Sequence, residues 1–269
     1  MRTHPATLLS GTILVMMGAI RPASAVDFSG AGALAIAGTS GCTAVSISAT
    51  VVLSAAHCLS GVSAATVSFQ GITASRIDIA PGFVSFGVPD FDNDLAAITL
   101  STALPETVAT YGLYLQPLTV GTEIQFVRQS GAVASNLVGF LGVDGPSANP
   151  GDFDTGITTF GFDDDTRAPA GSDGFIDGLP AVAGEAGVSS GDSGSPVFVI
   201  VDGVPLLAGI NLFQFGATVD GVQIPAAGGG GLRLAEYQEF LSNYILVPEP
   251  QETAGLLVLA GIFARLRRR

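Results

Sequence analysis

The sequence has no lysine, and its two cysteines and two histidines are few for a chain of 269 residues. Between residues 26 and 246 the only cations are Arg76, Arg128, Arg167 and Arg233, set against 21 acidic residues, a net charge near −17. A surface so negative repels phosphates, which excludes nucleic acid and an anionic membrane surface as partners. Two cysteines allow one disulfide and no more. With one nearby histidine they supply too few ligands for a structural zinc site. Long apolar runs are lacking too: neither apolar stretch at the chain ends reaches the ~20 residues of an ordinary membrane span. Helix signals are scarce, and no repeat recurs at solenoid or propeller periods.

Both ends read as processing signals. Arg2 precedes an apolar run from Leu8 to Ile20 and a small-residue site, Ala23-Ser24-Ala25. That order is that of a secretory signal peptide over residues 1–25, which starts the mature chain near Val26. At the other end Val247-Pro248-Glu249-Pro250 leads into an apolar run, Ala254 to Ala264, and a terminal arginine cluster. An apolar stretch followed by arginines is a membrane-stop signal. The whole of residues 247–269 resembles the PEP-CTERM sorting signal of Gram-negative bacteria. The resemblance implies transient inner-membrane anchoring, cleavage by an exosortase-type enzyme, and an outer-surface or extracellular destination. Signal peptidase and that enzyme are the processing partners expected. The plain alternative is a tail anchor.

Between the signals, short β-type runs alternate with glycine turns: Thr43–Ser48, Thr50–Ser54, Thr66–Gln70, Arg76–Ala80, Leu95–Leu100, Glu123–Arg128, Leu137–Leu141, Pro196–Val201, Pro205–Leu212 and Gly230–Leu234. Many short strands of this kind predict an all-β sandwich or barrel. One helix is predicted over Ala235–Ile245, with Tyr237, Phe240, Leu241 and Tyr244 spaced for one face. Gly142 to Asp177 reads as a polar loop carrying Asp152, Asp154, Asp163, Asp164, Asp165 and Asp173. Such oxygen donors could hold calcium as a structural ion, although their spacing departs from the roughly twelve-residue calcium loop. No catalytic cofactor or metal is expected.

Chemistry concentrates in three places. His4 leaves with the signal segment, so His57 is the one imidazole of the mature chain, and histidine is the usual general base near neutral pH. Gly191-Asp192-Ser193-Gly194-Ser195-Pro196 places a serine on a glycine-bounded turn, where backbone N–H groups can face a substrate oxygen. An α/β-hydrolase elbow is excluded: Ser195 stands where that motif needs glycine, and no histidine follows Ser193. Asp94, directly before apolar Leu95-Ala96-Ala97-Ile98, can orient an imidazole, with Asp92 and Asp90 as local competitors.

From about Leu34 to Ile245 the chain resembles the trypsin/chymotrypsin-type serine proteases. The matching stretches are Val52-Leu53-Ser54-Ala55-Ala56-His57-Cys58, Asp94-Leu95-Ala96-Ala97-Ile98 and Gly191 through Pro196, with weaker matches at Pro81-Gly82-Phe83, Ala208-Gly209-Ile210 and the terminal helix. The resemblance implies two packed antiparallel β-barrels over residues 26–246, split near residue 118, with a short C-terminal helix. It implies a Cys42–Cys58 disulfide, which an oxidising compartment also favours; a loop of that length is worth ~3 kcal/mol. It implies a peptide-bond hydrolase acting on proteins or peptides, in which Ser193 attacks, His57 shuttles the proton, Asp94 holds His57, and the N–H groups of Gly191 and Ser193 stabilise the oxyanion.

Three departures stand out. Ser195 replaces the second glycine of the motif. Gly187, six residues before Ser193, puts no acid at the base of a specificity pocket that would include Val188 and Phe213, so an apolar rather than basic preference is expected. Asp192 is expected to pair with an N-terminus freed by cleavage, yet no activation site is apparent between Val26 and Cys42. The rival reading is a catalytically inactive surface or matrix-binding protein on the same scaffold.

Overall fold

A computed structural model describes residues 26–39, 41–87, 91–142, 156–169, 174 and 176–245. The signal-type segment, the sorting-type tail, Asp90, Asp152, Asp154 and Asp173 lie outside the described residues.

Six strands, β1 (Ala31–Ile36), β2 (Cys42–Ser46), β3 (Val51–Ser54), β4 (Val67–Phe69), β5 (Ile72–Ile79) and β6 (Ala96–Leu100), close into an antiparallel barrel ordered β1-β2-β3-β6-β5-β4. Closure leaves no edge strand exposed. β3 and β6 are buried along nearly their whole length, which their small and β-branched residues permit. Phe69, Leu53 and Ile98 are fully buried and fill the interior, each worth ~2 kcal/mol on burial.

The second half is a seven-stranded antiparallel sheet, β7 (Glu123–Val127), β8 (Val133–Leu137), β9 (Phe140–Leu141), β10 (Thr159–Asp163), β11 (Pro196–Val201), β12 (Val204–Val219) and β13 (Val222–Arg233), ordered β8-β7-β11-β12-β13-β10-β9. Its two end strands are consecutive in the chain. β8 pairs with β7, and after Val138-Gly139 the same run pairs with β10 as β9. The Val138 N–H donates to Thr122 and the Gly139 N–H to Gly161, so one bent run of chain closes the sheet into a second ring. Its core is built from Ile124, Phe126, Phe160, Phe162 and Val197. Phe198, Leu207, Ile210 and Phe213 pack instead with the first barrel's residues and join the two halves.

β10 corrects the polar-loop expectation for residues 142–177. Thr159–Asp163 is a fully buried strand, and Asp163 and Asp164 are almost wholly buried. Phe160 and Phe162, two residues apart and just ahead of Asp163-Asp164-Asp165, carry a strand there. Opposite it, Phe160 and Phe162 pair with Gly231 and Gly229. A Cβ on Gly228 would stand 2.3 Å from the Phe162 carbonyl oxygen, so the glycines of β13 are needed for close approach.

The terminal helix is shorter than the periodicity predicts. A 3-10 turn, Leu234–Tyr237, leads into α1 (Gln238–Leu241), and the chain then turns. Ser242 Oγ donates to the Glu239 carbonyl and Asn243 Nδ2 to that of Phe240, side-chain bonds that compete with helix continuation.

Candidate active site

His57 sits in a 3-10 turn, Ala56–Cys58, directly after β3, and the Cys42–Cys58 disulfide fastens that turn to the start of β2. Cys42, Cys58 and His57 lie close together, but both sulfurs are spent in the disulfide and offer no metal site. Asp94, fully buried, stands two residues before β6. Its Oδ2 lies 2.6 Å from His57 Nδ1, and its Oδ1 accepts the His57 backbone N–H at 2.7 Å. Both carboxylate oxygens therefore hold one residue, fixing the ring's orientation and leaving Nε2 as the working nitrogen. Asp92 does something else. It accepts from the backbone N–H groups of Ile157 (3.1 Å) and Thr158 (2.9 Å) and from the Thr158 hydroxyl, anchoring the entry to β10.

Asn93, between the two acids, has a positive φ of 64°, and its N–H donates to the Tyr237 hydroxyl at 2.7 Å. That hydroxyl also meets Thr158 Oγ1 at 2.8 Å. Burial holds the Tyr237 phenol far above its usual pKa, so it stays neutral and can donate. The terminal 3-10 turn thus steadies the acid loop, a role the sequence did not suggest.

Ser193 lies on the turn before β11. Gly194 there has φ +84°, and an added Cβ would stand 2.1 Å from the Thr43 carbonyl oxygen; Gly191 has φ +94°. Thr43 couples the turn to the first barrel: its N–H donates to the Ser193 carbonyl (2.8 Å) and its hydroxyl to that of Gly191 (3.0 Å). Among the described residues the N–H groups of Gly191 and Ser193 have no acceptor, whereas those of Asp192, Gly194 and Ser195 are all engaged. Two free donors at one turn can receive an oxyanion. Ser193 Oγ donates to the Leu212 carbonyl at 3.3 Å and makes no hydrogen bond to His57. Serine-to-imidazole contacts commonly tighten only when substrate binds.

Asp192, 3% exposed, finds its counter-charge inside the chain. Its Oδ2 accepts from Arg128 Nε (3.2 Å) and the Ser189 N–H (2.8 Å), and its Oδ1 from the Gln129 N–H (2.8 Å). Arg128 also donates to the Ser189 hydroxyl. The chain after Val26 is held elsewhere, with the Asp27 carbonyl accepting from the Tyr111 hydroxyl. Arg128 was legible as one of only four cations in the core, the place to look for a buried carboxylate's partner.

A cavity of about 270 Å³ opens beside Ser193, lined in part by Val188, Phe213, Ser190, Asn211 and Gln214. Gly187 is outside the lining, and its N–H donates to Asp164 Oδ2 at 2.8 Å. Asp164 in turn takes Arg167 Nε at 3.1 Å, an ion pair closed on itself. Above the cavity, Phe86 places its ring centroid 4.5 Å from that of His57; Phe91 links it to Phe213.

Farther off, oxygens of Asp163, Asp165 and Glu185 lie within 4.8 Å of one another. Burial, with Asp177 nearby, pushes the Asp163 carboxyl up to about 7.

Residues 20–134 match the family model described as Trypsin, a span that carries His57 and Asp94 and ends before Ser193. No curated protein matches the chain. The match and the all-β architecture support a serine protease of the trypsin-like kind.

Proposed function

We propose that the chain is an exported serine endopeptidase that cleaves peptide bonds through an acyl-enzyme on Ser193. Asp94 orients His57 through Nδ1, and neutral His57 takes the Ser193 proton through Nε2 as Oγ attacks the carbonyl carbon. The tetrahedral oxyanion is received by the N–H groups of Gly191 and Ser193. His57 then gives its proton to the leaving amine, and water repeats the sequence to free the acid. The observation that carries this reading is the pair of hydrogen bonds that Asp94 accepts from His57, the mature chain's one histidine. The unengaged donors at residues 191 and 193 add to it.

Residues 1–25 act in this reading as the export signal and residues 247–269 as a transient membrane anchor removed by an exosortase-type enzyme, so that the core works at or beyond the outer surface. Removing Thr253–Arg269 relocates the protein without changing its peptidase activity. Fluorophosphonate labelling tests the chemistry. Wild type labels and Ser193→Ala does not; a correctly processed wild type that stays unlabelled overturns the proposal.

A further inference from the structure

Asn211 belongs to β12 and lines the cavity beside Ser193, yet it is 1% exposed. Three of its four polar groups are committed. Its N–H donates to the Ser195 carbonyl (2.9 Å), its carbonyl accepts from the Gly194 N–H (2.8 Å), and its Nδ2 donates to Ser195 Oγ (2.9 Å). The fourth, Oδ1, is buried without a partner. A buried amide oxygen with nothing to accept is costly in a folded chain, and its presence in a pocket wall points to a ligand group that completes it.

The rest of the lining narrows the choice of group. Asp192 is the one acidic residue there, and its carboxyl group is taken by Arg128, Gln129 and Ser189, so it offers nothing to a substrate cation. Val188 packs closely against β13, its Cγ2 lying 2.3 Å from where a Cβ on Gly229 would stand. Val188 and Phe213 supply apolar wall for methylenes, and Ser190 and Gln214 add neutral polar groups. A long cation therefore finds no free counter-charge. A purely apolar side chain, the expectation from sequence, leaves Oδ1 unpaired.

We propose that Asn211 makes this pocket select a neutral carboxamide, glutamine or asparagine, at the residue whose carbonyl Ser193 attacks. The proposal rests on the serine-protease reading above and names its substrate class. The Ser195 hydroxyl can donate as well as accept. A carboxamide, carrying donor and acceptor together, pairs with Asn211 in both orientations of the Asn211 amide, which neither a carboxylate nor an alkyl chain does. The serine that replaces glycine at position 195 thereby acquires a purpose: it fixes the Asn211 amide in the pocket wall.

The test uses peptides identical except for Gln, Glu, Leu or Arg at that residue, with kcat/KM referred to active sites counted by fluorophosphonate. Gln exceeds each of the others by about tenfold or more, the scale on which a hydrogen-bonding pocket rejects a partner that leaves it unpaired. In the double variant Asn211→Val, Ser195→Gly, which removes both halves of the bonded pair, the Gln-to-Leu ratio falls at least tenfold. The proposal is overturned if Leu, Glu or Arg equals Gln in the wild type, or if the ratio survives the double variant. Should that variant not fold, the wild-type ratios decide alone. A wild type that labels but shows no Gln preference sinks this specificity only. One that does not label takes the serine-protease reading with it.

Discussion

Arg128 Nε lies 3.2 Å from Asp192 Oδ2, so the acid preceding the candidate nucleophile is neutralised by a side chain of its own barrel. On this pairing the turn at residues 191–193 is expected to order by folding alone, without an ammonium supplied by peptide cleavage. Extra residues placed before Val26 leave activity unchanged. Arg128→Met strips a buried carboxylate of its partner, a loss of ~3–5 kcal/mol, and lowers kcat/KM by roughly a hundredfold or more. Active-site titration and peptide kinetics on the tagged and substituted proteins check both halves. A tagged protein that gains activity only after trimming contradicts this account.

The two neighbouring acids separate cleanly by role. Asp94→Asn leaves His57 with an amide that favours the wrong tautomer, and kcat falls on the order of 10⁴-fold. Asp92→Asn loosens the backbone at residues 157 and 158 and lowers thermal stability, while kcat changes by less than about tenfold. Equal losses of kcat from the two substitutions would undo the assignment.

Activity falls as the solution is acidified, since only a neutral His57 imidazole accepts the serine proton. The measurement is kcat/KM against pH for one neutral peptide. A flat profile from acid to neutral pH removes His57 as the base.

Stability should run the other way around Asp163. Its folded pKa, near 7, lies above the ordinary carboxylate value, so between about pH 4 and pH 7 the folded state holds a proton that the unfolded state releases. This contribution to stability is complete at low pH and is lost as pH rises through 7. Asp163→Asn keeps an acceptor for the Ile176 N–H and removes the charge. It raises stability by ~1–2 kcal/mol at pH 8 and changes little at pH 4, read by denaturant unfolding at the two values. Stabilisation at pH 4 alone would reverse the sign.

Much of the architecture was legible because strand runs with β-branched residues announce themselves, as at Val51–Ser54 and Ala96–Leu100. β10 was hidden because three consecutive aspartates, two of them almost wholly buried, imitate a solvated loop. Their burial depends on partners brought in from afar, such as the Gly187 N–H for Asp164 and the Ile176 N–H for Asp163. At the site, His57 and Ser193 were marked by scarcity and by turn chemistry. Asn211 carried no local signal, and Arg128 only its rarity as one of four cations in the core. What each does is set by residues brought alongside it through folding, at 195 and at 189 and 192.

The Tyr237 clasp has a consequence in time. The loop that presents Asp94 belongs to the first barrel, but the hydroxyl that steadies it arrives with almost the last residues of the folded core. Thr43, near the beginning, likewise waits for the Gly191 and Ser193 carbonyls. A growing chain can therefore complete its first barrel before the Asp94 loop and the Ser193 turn are braced, so the arrangement of His57, Asp94 and Ser193 is the last part of the core to be assembled.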